Sequence, residues 1–260
     1  MAQPREVVEA STARLSRERY LAFLDEAKGR GFEFVCFRDF LPGAPPLPSR
    51  YIALRHDVDF APEYSLEMAE LDHDAGVAST FFVLVDGGFY NPLDSEIIEQ
   101  IRRIHTLGHE VGLHFAVSSA VHADLGDEVA FRLRLLRDIL GAPVRSFSQH
   151  DPANAGLANI DLPPGSEPCV DAYQVTREHD LLYVSESAMM WREHTFETAL
   201  DENRNLALVA HAHSWLAPED DYVALIRSFQ SREVQATAGR FEAFIDALAR
   251  YYERRLAERA

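Results

Sequence analysis

Cysteine is nearly absent from this chain of 260 residues, with only Cys36 and Cys169 present. They form no CxxC pair and have no histidine pattern beside them, which excludes a zinc knuckle, a redox dithiol and a disulfide-stapled scaffold. Reduced thiols in a cytoplasmic protein are the expectation. Positive charge is also scarce. Lys plus Arg number 25 against 42 Asp plus Glu, a formal charge of −17 that repels the phosphate backbone of nucleic acids and anionic membrane surfaces. Long apolar runs are missing too: 206–215 is interrupted by His211 and His213 and falls short of the about 20 residues a membrane span needs. The segment up to Tyr20 carries Arg5, Glu6, Glu9, Arg14, Arg17, Glu18 and Arg19 without an apolar stretch, so no secretion signal is expected. No nucleic acid and no membrane insertion are expected.

What is present is enough apolar residue, 47%, to bury a large core, organised as alternating strand and helix patterns. Ser16 opens a first helix that Gly29 and Gly31 stop, and a strand over 32–37 follows. Four prolines and a glycine make 41–48 a loop. Strand 51–56 leads to a helix from Pro62, with Tyr64, Met68, Leu71 and Ala75 on one face. Strand 79–85, a helix capped by Asp94, strand 110–114, a helix over 129–140 stopped by Gly141, and strand 144–148 come next. An irregular stretch over 151–168 precedes two further strands, 181–185 and 206–210. The chain is expected to end in two helices, the last packing through Phe241, Phe244, Ile245, Leu248, Tyr251 and Tyr252. Its Arg250, Arg254, Arg255 and Arg259 suit a helix C-terminus. About seven strands alternating with helices predict an α/β barrel, irregular and built as one domain over 1–260. That domain has an N-terminal part (1–48), a core bearing the polar motifs (50–216) and C-terminal helices (217–260).

In parallel α/β folds, functional side chains gather at the carboxyl ends of the strands. Four strand ends here carry the same kind of chemistry: His56, Asp57 and Asp59; His114; His150 and Asp151; His211 and His213. Residues i and i+2 of a strand share a face, so Asp57 and Asp59 aim at one spot. A single histidine is more often a core or surface group, but histidines at four equivalent strand ends favour a site.

The stretches Arg55-His56-Asp57-Val58-Asp59, Tyr90-Asn91-Pro92, Leu107-Gly108-His109-Glu110-Val111-Gly112-Leu113-His114, His150-Asp151-Pro152, Ser185-Glu186-Ser187 with Trp191, and Ala210-His211 with Trp215 resemble the polysaccharide deacetylase family of NodB-homology enzymes. The resemblance runs in order from about residue 50 to 216. It implies an irregular (β/α)7 barrel and metal-dependent removal of an N-acyl group, typically acetyl, from an amino sugar or glycan precursor. Carried over by position, Asp57 matches the general base, Asp59 and His114 metal ligands, and His211 the general acid. The cofactor implied is a divalent metal, expected to be zinc. Arg55, Trp191 and Trp215 are the candidate substrate-binding residues, the tryptophans as pocket walls.

The chain departs from the pattern at Ser118, where the family has its second metal histidine four residues after His114. A serine hydroxyl is a poor zinc ligand. His150 is the preferred replacement and His122, in a loop, the second choice. Because Val58 separates the two acids, the base and ligand roles of Asp57 and Asp59 stay interchangeable at the level of sequence. Arg55 stands in for an orienting arginine that Arg145 does not quite match, Glu186 replaces an Asp, and His213 matches no position of the pattern. Two other functions remain in view: a catalytically degenerate barrel serving as a carbohydrate-binding or scaffold module, and a deacylase of a non-sugar amide.

Overall fold

The structure is a computed structural model that describes residues 14–119 and 122–258. Segment 1–13, on which most of the expectation about a secretion signal rests, and Arg259 lie outside the described residues. The chain divides into two compact units, 1–217 and 218–260, where the sequence led us to expect one domain over 1–260.

The first unit runs α1 (Arg17–Gly29), β1 (Glu33–Val35), a 3-10 turn (Phe37–Phe40), β2 (Tyr51–Val58), α2 (Pro62–Asp74), β3 (Thr80–Leu84), α3 (Ser95–Thr106), β4 (Glu110–Phe115), a 3-10 turn (Val117–Ser119) and α4 (Leu125–Leu140). It continues with β5 (Ser146–Gln149), α5 (Pro152–Ala155), β6 (Val170–Asp171), α6 (Ala172–Glu178), β7 (Leu182–Ser185), α7 (Phe196–Ala199), β8 (Leu206–Ala210) and α8 (Ala212–Leu216). The strands form one parallel sheet in the order β6-β5-β4-β3-β2-β8-β7, with β1 paired to β2 off this path. The sheet curls into an irregular (β/α)7 barrel, with no pairing between β6 and β7 among the described residues.

Local chemistry explains the helix limits. Ser16 accepts from Arg19 N at 3.2 Å and Asp94 from Glu96 N at 3.1 Å, each satisfying a donor that the first helical turn leaves free. Gly141 ends α4 at φ 71°, a left-handed conformation that other residues adopt only with strain.

Both faces of a parallel sheet are covered, so β2 is buried along its whole length. Alternation then sorts its side chains into two cores. Ile52 and Leu54 face the helices with Tyr20, Phe23, Met68 and Leu208, while Tyr51 and Ala53 face the barrel interior with Phe37, Phe82 and Ala207. The interior is narrow at Gly112, the register partner of Phe82: an added Cβ would lie 2.5 Å from the Phe82 ring and 2.7 Å from Ser146 Oγ.

Two features differ from or add to the sequence reading. The region after 168 contains β6 and α6, which no periodicity signalled because two strand residues and a two-turn helix are too short to show one. Where two helices were expected over 217–260, the described residues form a single one, α9 (Tyr222–Ala257, 36 residues). Within α9, Phe241, Phe244 and Ile245 are between 53% and 65% accessible.

Gly112→Ala should destabilise the protein by about 1–3 kcal/mol through overpacking against Phe82. Gly88→Ala, where a Cβ meets nothing within 4 Å, should stay within about 0.5 kcal/mol. Denaturant midpoints of the two variants against the parent check both.

Candidate functional site

β2 carries Arg55 and Asp57 on its inward face and delivers Asp59 just beyond its end. Pairing to β3, then β4, then β5 sets the other donors: Leu84 registers with His114, and His114 with Ser148, so His150 emerges one position beyond β5 beside His114. The ladder continues through His150 N, which donates to Phe115 O at 2.8 Å. From the opposite side β8 pairs with β2 and ends at Ala210, bringing His211 to the same mouth.

Asp59, His114 and His150 meet. Asp59 Oδ1 lies 3.4 Å from His114 Nε2 and 3.2 Å from His150 Nδ1, and the two imidazole nitrogens are 3.3 Å apart. Among the described residues this is the one group of three His, Cys, Asp or Glu side chains converging tightly enough to hold a metal ion. A proton can bridge only two of three donors, whereas a cation serves all of them. The edge of a tetrahedron around an ion with donor distances of about 2.0–2.1 Å is about 3.3–3.4 Å, so the spacing fits. Asp59 Oδ1 has no hydrogen-bond partner of acceptable geometry, as expected of an oxygen aimed at an ion. His114 Nδ1 donates to Ser148 O at 2.8 Å, which leaves the Nε2 lone pair for the centre.

Asp57 sits behind this group. Arg55 Nη2 donates to Asp57 Oδ2 at 2.7 Å, while Oδ1 is buried without a partner. The guanidinium is itself held by the rings of Tyr173 and Phe82, 4.9 and 5.2 Å from its Cζ. Arg55, named above among the substrate-binding candidates, is 2% exposed and has its Nη2 committed to Asp57. His211 closes the site with Nε2 3.7 Å from Asp59 Oδ2. Its Nδ1 donates to Glu186 Oε2 at 2.9 Å, and Glu186 Oε1 accepts His211 N at 2.5 Å and Trp215 Nε1 at 2.9 Å.

Burial and charge set the protonation states. Burial opposes ionising Asp57, yet Arg55 and, behind it, His114 and His211 hold its carboxyl below the usual range. Burial opposes Asp59 likewise, but the imidazoles of His150, His114 and His211 around it bring it well below. Burial keeps His114 neutral, the form that ligates. The Asp59 carboxylate 3.2 Å away raises His150. For His211, burial works against charge but Glu186 prevails and the ring is pushed up to about 10.

Other candidates fall elsewhere. Trp215 is 1% exposed and stacked on Phe196 at 5.5 Å, a core residue and not a pocket wall. Trp191 stays partly exposed, packed edge-on against Phe196 and Trp215 at 5.0 and 6.1 Å. Ser118 is exposed in the turn after β4, and His122 pairs with Glu128 at 2.6 Å. His56, pointing outward from β2, binds Asp72 Oδ2 at 2.9 Å and takes no part in the site. His213 is buried and stacks on Phe60 at 4.0 Å. Sequence reasoning did not foresee the role of Tyr173, because α6 carried no visible pattern. Glu186 was visible as a departure from the pattern but not as a three-bond acceptor.

No family model matches the chain, and no curated protein is similar to it. Solved structures of similar fold include a Streptococcus pyogenes deacetylase in complex with acetate, 14% identical over 52% of this chain and 64% of that one, at a TM-score of 0.41. A family 4 carbohydrate esterase from Bacillus anthracis is 12% identical over 91% of this chain and 94% of that one, at a TM-score of 0.39. A family 4 pseudoenzyme from Bacillus anthracis is 14% identical over 72% and 63%, at a TM-score of 0.37. The chain spans less than two thirds of the length of the first and third of these. At such identities only the course of the chain is compared, and what the residues do has to follow from this chain's own site.

Burial pushes His213 down to about 3 from an ordinary 6.5, so the unfolded chain binds a proton that the folded one refuses. Its contribution to stability is therefore complete above about 6.5 and shrinks as pH falls toward 3. His213→Phe, which keeps the stack on Phe60, should flatten the acid side of the stability profile, measured as unfolding midpoints between pH 7 and about 4.

Proposed function

We propose that the protein is a metal-dependent hydrolase that removes an N-acyl group, acetyl in the first instance, from an amino sugar or glycan precursor in surface polysaccharide synthesis. The observation that carries the reading is the convergence of Asp59 Oδ1, His114 Nε2 and His150 Nδ1 at mutual distances of 3.2–3.4 Å, with Asp57 and His211 beside them. Asp59, His114 and His150 would hold a divalent ion, zinc by their nitrogen and oxygen donors. Bound there, such an ion polarises an amide carbonyl and acidifies water at neutral pH.

The chain's own groups divide the proton work. Asp57 accepts the proton of the attacking water through Oδ1, since Arg55 pins Oδ2 and fixes the plane of the carboxylate. His211, with Nδ1 held by Glu186, presents Nε2 to the departing nitrogen and protonates it as the C–N bond breaks, because a free amide anion is too poor a leaving group. Access fits this division. The side chains of His150, Asp59 and His211 are 35%, 18% and 14% exposed, whereas His114 and Asp57 lie at the floor with 1% and 6%. Free thiols at Cys36 and Cys169, both pushed up to about 12 by burial, suit a cytoplasmic setting.

Ser118 favours a second reading, a barrel that binds a glycan without turning it over. The two part at the third ligand. Protein purified without chelator should carry about one equivalent of divalent metal and release acetate from N-acetylated amino-sugar substrates. Asp57→Asn should lower turnover by about 10²–10⁴-fold while metal content is kept. His150→Ala should lower metal content, and His122→Ala should change neither. Protein that acquires no ion at millimolar supply would leave only the binding module, and release of formate but not acetate would redirect the substrate to a non-sugar amide.

A further inference from the structure

Strand β3 lies between the strands that bring Asp59 and His114 to the mouth and supplies no donor itself. Its pairing with β2 ends where Val83 meets Val58, and its pairing with β4 where Leu84 meets His114. The loop that follows, 85–94, touches the backbone beside each donor. Tyr90 Oη donates to Val58 O at 2.9 Å, on the peptide that leads into Asp59. An added Cβ at Gly87 would meet Asp59 O at 3.8 Å, and the Phe89 ring lies edge-on to Phe60 with centroids 6.0 Å apart. On the other side Asp86 Oδ2 accepts Ala116 N at 3.2 Å, two residues beyond His114. Arg132 of α4 bonds the same Asp86 oxygen, donates to Ala116 O at 3.1 Å and pairs with Glu128 at 2.6 Å.

We propose that this loop is a clasp that sets the spacing of Asp59 and His114, with Tyr90 and Asp86 as its positioning residues. For what the donors hold, the clasp rests on the metal-dependent reading above; for how they are aimed, it rests on the loop contacts alone. β2 and β4 do not pair, so the strand between them has to relate Asp59 to His114. Asp59 also lies one residue past the end of β2. Two residues further on, Ala61 turns the chain into α2 at φ 49° and ψ 60°, a left-handed conformation that a residue with a Cβ adopts only with strain. Such strain persists where the surroundings over-determine the backbone. Val58, Asp59 and Phe60 are each met by one residue of the loop. Burial, and after it the charge of Asp59, push the Tyr90 phenol well above its ordinary value, so the hydroxyl remains a donor. A working constellation has to be held to within about 0.5 Å, and a fixed backbone on either side of the donors does this.

Competition for zinc against a chromophoric chelator gives the dissociation constants of parent and variants. Tyr90→Phe, which removes only the hydroxyl, should weaken binding by about 10–100-fold. Asp86→Ala, which releases Ala116 N, should weaken it through His114 by a similar factor; where it unfolds the barrel, Tyr90→Phe alone decides. Asn91→Ala is the control in the same loop: it gives up the bond from Leu93 N to Asn91 Oδ1 at 3.1 Å and should leave the affinity within about twofold. Equal weakening by Tyr90→Phe and Asn91→Ala would reduce the loop to a structural part, and a Tyr90→Phe affinity equal to that of the parent would overturn the clasp. A crystal structure of metal-free Tyr90→Phe reads the aim without an ion. Asp59 Oδ1 should leave its positions 3.4 Å from His114 Nε2 and 3.2 Å from His150 Nδ1, and unchanged positions would overturn the assignment. A parent that takes up no zinc would remove the metal-dependent reading and leave this second measurement to decide the clasp.

Discussion

Two carboxylates inside a closing barrel are the constraint to which the rest of the first unit answers. Ionised acids leave water only if something positive or strongly hydrogen-bonding replaces it. Asp57 is met by Arg55 at 2.7 Å, and Asp59 by two imidazoles within 3.4 Å. Each of those partners needs a support of its own. Tyr173 and Phe82 cover the guanidinium, Ser148 O fixes the tautomer of His114, and Glu186 fixes His211. The requirement thus passes outward from β2 until it reaches backbone carbonyls and the indole of Trp215, which donates to Glu186.

The alternation of β2 keeps a second polar system apart from the first. His56 sits between Arg55 and Asp57 in sequence yet points to the helical layer, where Asp72 accepts from His56, from Tyr20 at 2.6 Å and from Ser79 at 2.7 Å. His109 joins through Ser79 and donates to Ala69 O, 2.8 Å away. These groups tie α1, α2 and β3 to the back of the strand whose front carries the acids. A hydrogen-bonded cluster of this kind holds β2 in register, and register decides where Asp57 and Asp59 point.

The sequence made the strand ends legible because a period of two and a change from apolar to polar residues are local signals. Asp57, Asp59, His114, His150 and His211 could be gathered from them, since parallel pairing leaves only one end of the barrel for all of them. Trp215 misled for a physical reason: an indole is apolar enough for the core and polar enough for a pocket, and the choice is made by Glu186, a partner 29 residues away. α6 was too short to signal.

Ser118 shows why a group of metal-capable donors is better judged in space than along the chain. A ligand four residues after His114 and a ligand at the end of the neighbouring strand are far apart in sequence, but parallel pairing of β4 with β5 makes the second adjacent to His114. What an ion requires is three donors with the right lone pairs, mutual spacing near a coordination edge, and a neutral or negative balance that survives burial. His150 meets the first two from β5. Asp59, held ionised by the same imidazoles, meets the third. Asp59, His114 and His150 thus come together as a group that could hold an ion without a contribution from position 118, provided that β4 and β5 keep the register that sets His114 opposite Ser148.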